Sequence, residues 1–101
     1  MKITTNFGDI VATGVVLILI CDNLTLIDEA PTTARNLAAG FGDTIKIIKI
    51  NRTENEELSH ALRIRSNPTY LLYKNGGQVE RIEGNVPEIS LKDKLTNLLN
   101  D

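Results

Sequence analysis

The sequence predicts an α/β fold, a central mixed sheet flanked by helices in the order βαβαβαββα. Three observations predict it. The run Val15-Val16-Leu17-Ile18-Leu19-Ile20-Cys21 is continuously apolar and mostly β-branched, as a central strand covered on both faces must be. A helix-period stripe separates it from a second isoleucine-rich run, and strands joined through a helix pair in parallel. Near the C-terminus, Thr69 to Tyr73 and Gln78 to Glu83 flank Asn75-Gly76, the strongest two-residue hairpin signal, because both residues tolerate positive φ.

Each element has a local reason. Lys2-Ile3-Thr4 reads as a short first strand. Asn6 can cap a short helix whose first turn carries Asp9, whose apolar side is Phe7, Ile10 and Val11, and which Gly14 ends. Asp22 to Thr25 is the turn out of the central strand. Ile27, Ala30, Ala34, Leu37, Ala38 and Phe41 then recur at helical spacing, and Pro31 predicts a kink because it cannot donate to the Ile27 carbonyl. Gly40 and Gly42 close that helix; they follow a helix, whereas a phosphate loop follows a strand. Thr44 to Ile50 is the next strand. Thr53-x-x-Glu56 has the form of a capping box, opening a helix with Leu58, Ala61 and Leu62 on its buried side. Pro68 stands at the mouth of the following strand, where no N–H is needed. Gln78 to Glu83 is charged as a sheet edge should be. Ser90-x-x-Asp93 can cap a last helix striped by Leu91, Leu95, Leu98 and Leu99.

The chain of 101 residues suits a single domain over 1–101, long enough to bury a core without staples. A net charge of −2 with interspersed signs gives no footprint for nucleic acid or an anionic membrane. Seven apolar residues in a row are far short of the ~20 that span a bilayer. Without a secretory pattern, and with one cysteine, the expected location is cytoplasmic. No metal or cofactor is expected, since one histidine and one cysteine do not make a zinc site.

The stretch Ile64-Arg65-Ser66-Asn67-Pro68-Thr69, followed by an apolar strand and Lys74-Asn75-Gly76, resembles the thioredoxin family. Ala30-Pro31 matches that family's helix proline, and the element order matches its fold. The resemblance implies a thioredoxin-like topology with a cis bond before Pro68. It also marks what is missing. Counting back from Pro31, the four places of the family's Cys-x-x-Cys motif fall on Asn23, Leu24, Thr25 and Leu26. The neighbouring tryptophan is absent. The place of the family's buried aspartate falls on Leu19, while its lysine partner remains as Lys49. The two-cysteine reaction needs an attacking thiolate and a resolving thiol, and neither place holds one.

Three readings of function follow. One is a redox-inactive module binding a protein or peptide segment at a groove of Asp22 to Thr25, Ser66, Asn67, Pro68 and Gly84, with Asn23, Ser66, Asn67 and Pro68 as the contact residues. Strand addition of this kind uses main-chain groups and needs no cysteine. The second is a monothiol oxidoreductase or thiol sensor using Cys21, although the residue reads more readily as a small core residue, and Asp22 beside it disfavours a thiolate. The third is a subunit pairing helix faces with its own copies. His60 and Lys49 read as solvated, and Tyr70 and Tyr73, three apart on a strand, point to opposite faces.

Overall fold

The structure is a computed structural model that describes residues 7–22 and 29–100, the side chains of residues 29–31 excepted. The expected strand at Lys2 to Thr4, the Asn6 cap, Asn23 to Leu26 and Ile27 lie outside the described residues. Eight elements follow in order: α1 (Phe7–Ile10), β1 (Val15–Cys21), α2 (Glu29–Phe41), β2 (Ile45–Asn51), α3 (Glu56–Ala61), β3 (Thr69–Lys74), β4 (Gly77–Glu83) and α4 (Glu88–Asn100). The strands form one mixed sheet in the order β2-β1-β3-β4. β1 and β2 are parallel, which the crossover through α2 allows, and β3 and β4 are antiparallel to their neighbours.

β1 is buried along its whole length, as its unbroken apolar run requires. Its alternate residues feed two cores. Leu17 and Leu19 join Ala34 and Leu37 of α2, Tyr70 and Leu72 of β3, and Leu91 and Leu95 of α4. Val16, Ile18 and Ile20 join Val11, Leu71 and Tyr73 on the other face, with Phe7, Leu58 and Leu62 packed against them. Tyr70 and Tyr73 therefore do take opposite faces. Phe7 meets Tyr73 edge to face, ring centroids 5.7 Å apart. Burial raises the Tyr73 phenol above its ordinary pKa.

The hairpin closes at Asn75 and Gly76, with φ of 49° and 91°. Asn75 also ties the turn down: its N–H donates to the Gly14 carbonyl at 2.9 Å, and its Oδ1 accepts from Gly14 N–H at 3.0 Å.

Several local readings are corrected. Thr53 does not cap α3; it lies in a 3-10 turn, Arg52–Glu54, where its own N–H donates to Asn51 Oδ1. Asn55 takes the position before α3. Ser59 is the buried residue of that helix, and Ala61 is exposed. α1 ends at Ile10, and Gly14, at φ 70°, instead makes the turn into β1. α4 begins at Glu88, so Ser90 sits inside its first turn, where its N–H donates to the Pro87 carbonyl. A proline at a helix start costs no hydrogen bond, because its missing N–H is among the groups left over there. Ala38 is exposed, and Leu99 is 38% exposed. The apolar stripes are thus wider than the faces they bury, because a helix touching a sheet covers only a narrow face. Among the described residues no helix is long and apolar enough to cross a membrane.

Candidate functional site

The carboxyl ends of β1 and β2 and the corner between α3 and β3 meet at one end of the sheet. The Asn67–Pro68 peptide is cis. Pro68 is buried and Asn67 is exposed. The corner is held from four directions. Thr69 Oγ1 donates to the Ser66 carbonyl at 2.7 Å, and Gly84 N–H donates to the Pro68 carbonyl at 2.8 Å. Asp22 N–H donates to Asn67 Oδ1 at 3.0 Å, joining the exit of β1 to the corner. Ser66 Oγ donates to Glu83 at 3.0 Å, and Arg65 pairs with the same carboxylate at 2.9 Å.

These contacts consume the Asn67 side-chain oxygen, and among the described residues none of them engages its main chain. Among the described residues, neither the N–H nor the C=O of Asn67 has a hydrogen-bond partner. An exposed residue with both groups open beside a fixed turn can take one more strand.

The electrostatics of the corner come from arginine. Hydrogen bonds from Arg65 and then Ser66 hold the Glu83 carboxyl below the usual carboxylate range, and the bond with Glu83 raises Arg65. On the other side Arg52 pairs with the Asp22 carboxylate. Neither ion pair is legible in the sequence, because each joins residues distant along the chain, 30 positions apart for Asp22 and Arg52.

The structure brings Asp22, Ser66, Asn67, Pro68 and Gly84 together at this corner. Asn23, the remaining contact residue of that reading, lies outside the described residues. Cys21 lies at the end of β1, across from Asn51 of β2, and is 2% exposed. Burial of this kind lowers a thiol's access to solvent. His60 and Lys49 are exposed. Leu19 is fully buried and lies in register with Lys49 on one side and Tyr70 on the other. A disulfide-reduction assay with dithiothreitol is expected to show no turnover above the reagent's own rate. Turnover that vanishes in Cys21→Ser would contradict this.

Comparison with known proteins agrees with this fold. The sequence model of the thioredoxin family matches residues 28–97. A thioredoxin from Chlamydia pneumoniae is 38% identical over 94% of this chain and 89% of its own length. Thioredoxin 1 of Synechococcus elongatus is 34% identical over 58% of this chain, and the match spans only 55% of that protein. Among solved structures, a single-residue mutant of a thioredoxin from Halobacterium salinarum NRC-1 superposes with a TM-score of 0.81 at 25% identity, covering 97% of this chain and 87% of that one. With one cysteine, this chain cannot form the intrachain dithiol on which the family's reaction depends. It belongs to the thioredoxin family.

Proposed function

We propose that this protein is a redox-inactive binding module that holds a segment of a partner protein, in extended form, against the cis-proline corner. The observation that carries the reading is the Asn67 main chain, exposed and without a partner among the described residues while the side chains of Ser66, Asn67 and Thr69 are engaged. Such a segment would accept from Asn67 N–H and donate to its C=O, extending the sheet by main-chain bonds. Ser66 and Pro68 would line the contact, and Asn23 would flank it. The single, buried thiol supports binding over thiol chemistry, and it suits a reducing cytoplasm.

The experiment is a titration of the isotope-labelled protein with a seven-residue peptide of alternating valine and threonine. The reading predicts amide shifts centred on Asn67, Thr69 and Gly84. Shifts confined to the opposite end of the sheet, or no saturable shift at any position, would overturn it.

A further inference from the structure

We infer that Arg63 and Arg81 form an anion-recognition patch beside the cis-proline corner, so that the segment held at Asn67 carries acidic side chains. The inference rests on the strand-addition reading of that corner.

Three of the chain's five arginines, Arg63, Arg65 and Arg81, line one surface cavity of about 300 Å³, with Glu83 as its one acid. The chain as a whole carries a net charge of −2, so this local excess of positive charge does not follow from composition. The three guanidinium groups are in different states. Arg65 is paired with Glu83. Arg81 donates to the carbonyls of Leu62 and Arg63, at the end of α3, which fixes its position without cancelling its charge. Arg63 has no side-chain partner among the described residues.

The backbone of the patch and its Arg81 side chain are held in place. Arg63 has φ of 57°, an uncommon conformation for a residue with a side chain. Arg81 clamps both carbonyls of that turn from β4. Arg81, held by those two carbonyls, fixes a positive charge beside the turn, while the planar fork of the exposed Arg63 matches the two oxygens of a carboxylate. The patch also lies within reach of the corner. At up to ~3.6 Å per residue, Arg65 is within about 7 Å of Asn67 along the chain and Arg63 within about 14 Å. An extended segment covers that distance in two to four residues. A nucleic acid is a poorer fit, since two uncompensated charges on a net acidic chain make no stripe for a phosphate backbone.

The test uses the whole protein and two probes: the valine–threonine peptide with a glutamate added at each end, and its counterpart with glutamines. The glutamate probe is expected to bind about three- to tenfold more tightly at low salt, an advantage that 0.5 M sodium chloride removes. It should shift the Arg63 and Arg81 Nε signals together with the Asn67 amide, and the glutamine probe only the latter. Arg63→Gln, at an exposed position, should bring the glutamate probe down to the glutamine probe without weakening the glutamine probe. Equal affinities, or a preference that survives Arg63→Gln, would overturn the inference and leave strand addition standing. Arginine shifts without any change at Asn67 would overturn the strand-addition reading and this inference with it.

Discussion

Leu19→Asp is expected to destabilise the protein by about 3–5 kcal/mol at neutral pH, the cost of leaving a charge buried without compensation. Leu19 is fully buried in the middle of β1, among Leu17, Ala34, Leu37 and Tyr70. The cross-strand residue on β2 is Lys49, whose exposed side chain would have to turn inward to pair with the new acid. The pH dependence has a definite sign. Burial favours the neutral carboxylic acid, so the folded pKa of the new group lies above the unfolded value of ~3.9. Between the two values the folded state binds more protons, and stability falls as pH rises through that window. The deficit relative to Leu19 should therefore be smaller at pH 3 than at pH 7. Chemical denaturation of both proteins at the two pH values reads it. A loss below about 1 kcal/mol at pH 7, or one independent of pH, would mean that the site accommodates an acid.

Leu91→Ala is expected to cost about 2–5 kcal/mol, whereas Leu99→Ala and Ile89→Ala should stay within about 0.5 kcal/mol. The contrast comes from how α4 lies on the sheet. Leu91 and Leu95 have no exposed surface and pack with Leu17, Leu72 and Tyr70, while Leu99 is 38% and Ile89 62% exposed. The helix is pinned around this contact by Lys94 with Glu80 at 2.8 Å, and by Lys74 Nζ donating to the Leu98 carbonyl at 2.7 Å. Asn36 of α2 adds a bond to Glu88 at 3.0 Å. Urea midpoints of the three variants measure the difference. Equal losses at Leu91 and Leu99 would place α4 in another rotation about its axis.

Much of this architecture is legible in the residues. The unbroken apolar run marks β1, and Asn75-Gly76 marks the hairpin, because these signals depend on backbone preference and two-sided burial alone. Helix starts are less legible. Thr53 and Ser90 have the chemistry of caps, but Asn51 takes up the Thr53 N–H itself, and the Pro87 carbonyl accepts the first bonds of α4. Nothing in local spacing ranks such competitors. The site is half legible. A motif marks Asn67 and Pro68, whereas the use of the Asn67 side chain on Asp22, and the gathering of Arg63, Arg65 and Arg81 around Glu83, arise from contacts across the fold. A sequence pattern counts charges but does not bring residues 18 apart, such as Arg65 and Glu83, to one carboxylate.

The strand-addition claim is tested most directly at one proton, the amide of Asn67. Its exchange with water, measured on the labelled protein with and without saturating valine–threonine peptide, reports whether that N–H gains a partner. The account predicts that exchange slows by about tenfold or more at Asn67, the scale of one added backbone hydrogen bond, while exchange at exposed amides of α4 is unchanged. Unaltered exchange at Asn67 with the peptide bound would contradict it.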